Sequence, residues 1–430
     1  MATTTTSRRR ALMQLGLTLT FGPRLLLACS DDAGSPSSDG GADGGTTLPG
    51  VDGGGGGDTS VGDAASEEQP PPKKDAGPSP NTPLKALAAG MAAGTWLEVK
   101  SATNQNTALG VGTVSGTMTH YCNSMPWNPI DHAIEIVGMD HNAGMQRYVR
   151  YDALTNDFQV IMADTGVGSA TRHGYDHGAL NPYTGDLYHR LAEYDYEGSG
   201  PLVRKLALGA KSFANLARPK TIFYMTNALG VCWWSGSFTG AGAQGCLLVF
   251  NSADSKIGGA ATDGGMYAYD PLTNAWFWSS DSMAPFFGSG GSATYHSVLE
   301  YSSIHNCAVY GGGNAQPKKL WRLDANRKFV AMPDTPGPTN VGIQAGNLAN
   351  DPATGNFLLL SNGQLWELDP RGAGKWTQRP SPPAGVGNPG PASYGELDGV
   401  ISCSIEEYGV VAYVKQTSKS GGTFFLYKNA

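Results

Sequence analysis

From about Pro83 to the C-terminus, apolar residues come in short runs that stop at glycine or at turns containing Asp and Asn. The run Ala308-Val-Tyr-Gly-Gly-Gly313 is the clearest case. Helical periodicity is nearly absent, with a single turn of helix expected over 84–93. Tryptophan and tyrosine recur throughout, and the chain holds 60 glycines. This is the texture of many short strands joined by tight turns. Roughly 345 residues follow Pro83, ample for a large core.

The strands recur at a long period. Tyr151-Asp-Ala-Leu-Thr-Asn-Asp-Phe158 closely matches Tyr269-Asp-Pro-Leu-Thr-Asn-Ala-Trp276. Leu323-Asp-Ala-Asn-Arg-Lys-Phe329 and Leu368-Asp-Pro-Arg-Gly-Ala-Gly-Lys-Trp376 are looser copies. Each reads as a strand, a turn built on Asp and Asn, and a second strand whose aromatic side chain plugs the gap between neighbouring sheets. A further turn, such as Asn181-Pro182 or Asp351-Pro352-Ala-Thr-Gly355, leads into an apolar strand ahead of each copy. The plug aromatics Phe158, Phe213, Trp276, Phe329 and Trp376 stand about 55 residues apart.

Together these features resemble the blades of Kelch-type β-propellers, whose signature is a double glycine followed by a Tyr and a Trp six residues apart. The resemblance covers residues 92–430. It implies an all-β propeller of six blades, with seven as the alternative. Gly94-Thr-Trp96-Leu-Glu-Val99 looks like an outer strand with no blade before it, and 408–427 lacks an outer strand after it. The N-terminal strand is therefore expected to complete the last blade, which removes two exposed sheet edges.

The segment before the propeller reads as an address and a tether. Ser7-Arg8-Arg9-Arg10-Ala11-Leu12 resembles a twin-arginine export signal, and Leu26-Leu27-Ala28-Cys29 resembles a lipobox, with Cys29 as the lipidated residue. The apolar run between them is too short and too interrupted for a membrane span. Residues 30–83 are rich in Gly, Ser, Asp and Pro and are expected to form a disordered leash. The domains read as 1–29 signal, 30–83 linker and 84–430 propeller. The expected location is the cell envelope, with the membrane touched only through the lipid anchor. The chain carries −7 overall, and its first 29 residues hold four arginines and no acid, so the remainder is more acidic still. An acidic domain without a basic stripe excludes nucleic acid as the expected partner. A monomer is expected.

Export allows disulfides. Cys232 and Cys246 flank a Gly-rich hairpin and are candidates to pair across strands. The cysteines beyond Cys29 number five, so at least one is left over.

Six of the eight histidines fall between Thr119 and Arg190: His120, His132, His141, His173, His177 and His189. In a propeller, the starts of the inner strands and the links between second and third strands meet at one channel mouth. Here they offer a ligand-binding set of Asn123, His173, Asp176, His177, Arg190 and Asn347. A clustered set of titratable groups in a concavity is a candidate site. The bland reading of each histidine is a hydrogen-bonded tie between blades. Trp127, Trp233 and Trp234 are candidates for stacking on sugar rings, or else core plugs.

Two enzyme families supply alternatives. Tyr295-His296-Ser297 before Gly311–Gly313 is similar to the Tyr-His pair of galactose oxidase-like copper radical oxidases. Cys122 and Tyr175 stand where that family has its cross-linked Cys and Tyr. The resemblance implies copper held by Tyr175, Tyr295 and His296, with Cys122 as cross-link partner. The family's second His comes from a C-terminal domain for which this chain has no counterpart. His120, His141, Tyr188 and Arg204 look like the catalytic set of propeller-fold polysaccharide lyases. There a cation neutralises a uronate carboxylate and His or Tyr moves the proton. The expected function is binding of an extracellular ligand, a glycan or a surface protein, at the channel face, with lyase or copper oxidase activity as the alternative.

Overall fold

The computed structural model describes residues 80–100, 105–110, 118–119, 122–138, 146–166, 178–190, 203–217, 230–251, 265–280, 296–313, 316–342, 345–386, 400–418 and 421–430. The first elements are helix α1 (Pro83–Gly90), strand β1 (Thr95–Glu98) and the short helix α2 (Gln105–Leu109). Thr82 caps α1 by accepting the Lys85 N–H at 3.0 Å, and Pro83 sits at the first turn, where its missing N–H costs nothing.

Six four-stranded antiparallel sheets follow. Blade 1 is β2 (Trp127–Asn128), β3 (Ala133–Gly138), β4 (Arg147–Asp152) and β5 (Asp157–Met162). Blade 2 is β6 (Gly178–Leu180), β7 (Leu187–Arg190), β8 (Val203–Leu206) and β9 (Ala214–Asn215). Blade 3 is β10 (Val231–Trp234), β11 (Cys246–Asn251), β12 (Gly265–Asp270) and β13 (Ala275–Ser279). Blade 4 is β14 (Val298–Ser302), β15 (Cys307–Gly311), β16 (Leu320–Asp324) and β17 (Phe329–Ala331). Blade 5 is β18 (Asn347–Asn350), β19 (Phe357–Ser361), β20 (Gln364–Asp369) and β21 (Lys375–Arg379). Blade 6 is β22 (Val400–Ile405), β23 (Val410–Ser418) and β24 (Gly421–Lys428), completed by β1. The protein is a six-bladed β-propeller, and the seven-blade alternative is excluded.

The repeated sequence has one structural meaning. In its two closest copies the Tyr of the third strand lies opposite the plug of the fourth: Tyr151 faces Phe158 and Tyr269 faces Trp276. Their rings are 5.0 and 5.4 Å apart. The Asp of the motif turns the chain by accepting a backbone N–H two residues on, from Leu154 at 2.7 Å and from Leu272 at 2.9 Å. The Asn takes a left-handed φ, 55° at Asn156 and 54° at Asn274, and its side chain accepts the Tyr hydroxyl at 2.9 and 2.6 Å. The double glycine has a separate cause. Gly311 has φ 136° and Gly312 has φ 71°, and a Cβ on Gly312 would sit 2.3 Å from the Val341 carbonyl.

Closure follows the same register logic. Trp96 in β1 lies opposite Tyr427 in β24, with rings 4.6 Å apart and a second contact to Tyr413 at 5.2 Å. The first and last strands of the chain thus share one sheet, as the unpaired sequence halves predict.

One expectation is corrected. All five described cysteines are buried and free, so Cys232 and Cys246 do not pair. In the register Cys232 faces Leu248 and Cys246 faces Trp234. The two thiols are diagonal neighbours, and diagonal positions about 7–8 Å apart exceed the usual reach of a disulfide.

A chain beginning after Val99 would expose the edge of β24. It is expected to aggregate on size-exclusion chromatography, and a monodisperse species of unchanged melting temperature would contradict the closure argument. Trp96→Ala is expected to cost about 2 kcal/mol in chemical denaturation, less than a fully buried Trp because the ring is partly exposed.

Candidate functional site

The inner strands line a central channel, and an edge strand there has backbone groups with no neighbouring strand to pair with. Residues 122–126 supply one. Ser124 forms a parallel bridge with Ser402 of β22, and the Met125 N–H donates to the Ser402 carbonyl at 2.9 Å. Asn123 reaches further. Its amide pairs with the Leu348 peptide of β18, donating to the carbonyl at 3.0 Å and accepting the N–H at 2.8 Å. It also donates to Glu300 of β14 at 3.2 Å. Its own carbonyl accepts the Ser402 N–H at 2.8 Å, the Ser402 hydroxyl at 3.0 Å and the Asn347 amide. Asn123 therefore crosses the channel and ties blade 1 to blades 4, 5 and 6.

Below this crossing, a cavity of about 160 Å³ opens toward the turns that join first and second strands. Its inner end holds Ser124, Ser402 and Glu300; its rim holds Ser235, Tyr301, Glu406 and Glu407. Trp127 and Trp233 form parts of the wall, and no Lys, Arg or His among the described residues lines it. Glu407 is fixed in place: the Trp127 indole N–H donates to it at 2.9 Å and His132 Nδ1 lies 3.2 Å away. Glu406 accepts the Ser303 hydroxyl at 2.9 Å. Tyr301 accepts the Gly236 N–H at 2.9 Å and donates to Asn306 at 3.0 Å.

Glu300 differs from the other glutamates of the sheets. Glu135 and Glu367 are buried, but each meets an arginine on a neighbouring strand. Arg150 donates to Glu135 at 2.8 and 3.1 Å, and Arg379 donates to Glu367 at 2.7 Å. Glu300 has only the Asn123 amide and a Ser124 hydrogen bond, with no cation beside it among the described residues. Burial pushes its carboxyl up to about 8, against a small opposing effect of Ser124. At neutral pH it is largely protonated.

Those of the residues singled out in the sequence that the structure describes do not meet at one place. His120, His141, His173, Tyr175, Asp176, His177 and Tyr295, with Cys29, lie outside the described residues. Tyr188 and Arg204 stand on opposite faces of blade 2, because neighbouring residues on a strand alternate. Tyr188 faces Lys205 in the register and packs 5.3 Å from Trp233 on the blade 3 side. Its hydroxyl is buried without a hydrogen-bond partner, and burial raises it. Arg204 shares the other face with His189 and donates to its Nδ1 at 3.2 Å, to the Thr165 carbonyl at 2.9 Å and to Gln146 at 3.1 Å. It also stacks 4.0 Å over Phe213, and burial lowers it to about 10. Arg204 is a clasp between blades 1 and 2, so the expected convergence of Tyr188 with Arg204 in one catalytic set is corrected. Arg190 is fully buried, and burial lowers it to about 9.

Asn347 is a strut of the channel wall that donates to the Val400 carbonyl at 3.0 Å. Cys122 is a core residue whose thiol donates to the Met118 carbonyl at 2.9 Å. His296 enters β14 with φ 67°, its carbonyl against Gly342. No group of three or more His, Cys, Asp or Glu among the described residues is arranged to hold a metal. Of the tryptophans, Trp234 is a buried plug bonded to Asn306 at 2.8 Å, and Trp127 and Trp233 are also buried core residues that border the cavity. His132 lies in the turn at the cavity end of blade 1, beside Glu407. Sequence reasoning missed Glu300, Glu406, Glu407 and Tyr301. The one available signal was an acid inside the otherwise apolar inner strand Val298–Tyr301.

No protein-family model and no curated protein matches the sequence. Solved structures with a similar fold exist. A fungal alcohol oxidase of the AA5 family in complex with copper aligns over 72% of this chain and 75% of its own, at 11% identity and TM-score 0.42. An auxiliary nutrient binding protein from Bacteroides ovatus aligns over 77% and 76%, at 12% identity and TM-score 0.45. A streptogramin B lyase aligns over 77% and 97%, at 11% identity and TM-score 0.42.

Asn123→Ala leaves the Leu348 peptide unpaired and is expected to cost about 2–4 kcal/mol in chemical denaturation. A loss below about 0.5 kcal/mol would sink the crossing as a structural tie. Glu300 makes a pH prediction. Its folded value lies above its unfolded one, so the folded state binds the extra proton between about 4.5 and 8. Its favourable contribution is complete below that window and is lost as pH rises through it. Stability is expected to fall across the window by at least about 1 kcal/mol, and Glu300→Gln to flatten that slope. An identical slope in the variant would show that Glu300 does not titrate there.

Proposed function

We propose that the protein is an exported, lipid-tethered, Kelch-like propeller that binds a small extracellular carbohydrate in the cavity below Asn123. The observation that carries this reading is the lining itself: two indoles beside an array of hydroxyls, an amide and carboxylates. Indole faces match the apolar faces of a sugar ring, and Ser124, Ser235, Asn350, Ser402 and Ser404 supply partners for its hydroxyls. The size argues for one ring or one small group. The cavity is about 160 Å³, below the ~300–1,000 Å³ of pockets for drug-sized ligands. Asn123 closes its inner end, which disfavours a polymer threaded along the axis. The Arg8–Arg10 segment and Leu26–Cys29 support delivery to the envelope and anchoring at Cys29.

Trp127 and Trp233 give a direct readout. A panel of monosaccharides titrated into the whole protein is expected to shift tryptophan emission at millimolar concentration or below. Trp233→Phe is expected to weaken the effective sugar about tenfold. Silence of the emission and of titration calorimetry across the panel would overturn the proposal.

A further inference from the structure

We propose that this cavity selects a ligand carrying a primary ammonium group, seated against Glu300 with the Trp127 and Trp233 rings beside it. The inference rests on the reading that the cavity is the ligand site, and it names the ligand's chemistry.

Three features carry it. The first is the comparison among glutamates. Glu135 and Glu367 are held by Arg150 and Arg379, so this fold neutralises its buried strand carboxylates with a cation from the same sheet. Glu300, in β14, is only partly covered because it faces the cavity, and no arginine among the described residues reaches it. Ionising a desolvated carboxyl without a cation is costly, and an incoming ammonium offsets that cost. The second is the sign of the whole lining. Glu300, Glu406 and Glu407 all contribute, and no cationic side chain among the described residues does. An anionic ligand would be repelled by this lining and a neutral one would gain nothing from it, whereas an ammonium is attracted. The third is the walls. Indole faces attract a cation through the ring quadrupole, and exclusion of water strengthens that attraction. An ammonium also has three donors, which Glu300 and the Ser124 and Ser402 hydroxyls can accept.

The ionisable groups around the site are Glu300, Tyr301, Glu406, Glu407 and Cys232, with His132 behind Glu407 and Cys403 on the strand beside Ser402. Glu300 is the one that a cation is expected to change near neutral pH. A bound ammonium favours its ionised form, so binding releases a proton to the buffer.

Titration calorimetry on the whole protein tests this with four ligands: glucosamine, N-acetylglucosamine, glucose and ethanolamine. Measurements at pH 7 in two buffers of different ionisation enthalpy read the proton. Glucosamine is expected to bind at least tenfold tighter than glucose and N-acetylglucosamine, with a buffer-dependent heat that reports proton release. Glu300→Gln is expected to bring the glucosamine-to-glucose affinity ratio close to one. Glu406→Gln, at the rim, is expected to reduce it partially, and the proton release of the unaltered protein stands independently of either variant's folding. Equal binding of glucose and glucosamine, or a ratio preserved in Glu300→Gln, would overturn the ammonium inference and leave the carbohydrate reading in place. Ethanolamine binding as tightly as glucosamine would support the inference while removing the sugar from it. No binding by any of the four would overturn the inference, and the wider monosaccharide panel would then decide the carbohydrate reading separately.

Discussion

A side-chain amide laid against a peptide group sits at the centre of this ring. The inner edge of each blade faces the channel, where no full neighbouring strand completes its hydrogen bonds. Asn123 answers that problem at one level of the channel, because its carboxamide offers the same donor and acceptor that a neighbouring strand would offer. One residue also binds Ser402, Asn347 and Glu300, so blades 1, 4, 5 and 6 share a fixed point on the axis. The outer seam, where β1 joins β24, closes the same ring at its rim. The two devices act at different radii. The outer seam removes an exposed edge, and the inner crossing fixes how the blades meet.

The crossing also determines what the channel can be. An open channel would keep its lining in contact with bulk water from both ends. Asn123 reaches across the channel to Glu300, which lies at the inner end of the cavity. Burial is the largest influence on that carboxyl, so the residue that braces the ring is also the one that keeps Glu300 away from solvent. At the rim, Glu407 stays in a wetter setting, held by an indole N–H and by His132. The same residue type is thus placed in two environments a short distance apart along one axis.

The legible part of this architecture was the part that repeats. Tyr-Asp-x-Leu-Thr-Asn recurs because the outer hairpins of blades 1 and 3 solve the same local problem with the same three contacts: an Asp accepting an N–H, an Asn at positive φ, and a Tyr donating to that Asn. Such contacts span five residues or fewer, and sequence displays them directly. The closing strand was legible for a related reason, as half a repeat at one end and a missing half at the other. Tyr188 and Arg204 show where the pattern misleads. Both belong to blade 2, and a list of polar residues near a channel makes them neighbours. Alternation along the strands sends one toward blade 3 and the other toward blade 1.

The cavity was illegible because its parts are held by long-range contacts that occur once. Asn123 meets Leu348 across 225 residues of sequence and Glu300 across 177. Glu300, Glu135 and Glu367 are each an acid within a short strand, and the sequence does not display which of them a neighbouring strand neutralises. Arg150 lies opposite Glu135 in the sheet, whereas Val309 lies opposite Glu300. The Val309 side chain offers Glu300 no charge, and no cation among the described residues lines the cavity. The electrostatic character of the site therefore arises from a long-range arrangement: blades 1 and 5 pair a buried acid with an arginine on a neighbouring strand, whereas the first strand of blade 4 leaves its acid facing a space that a ligand can enter.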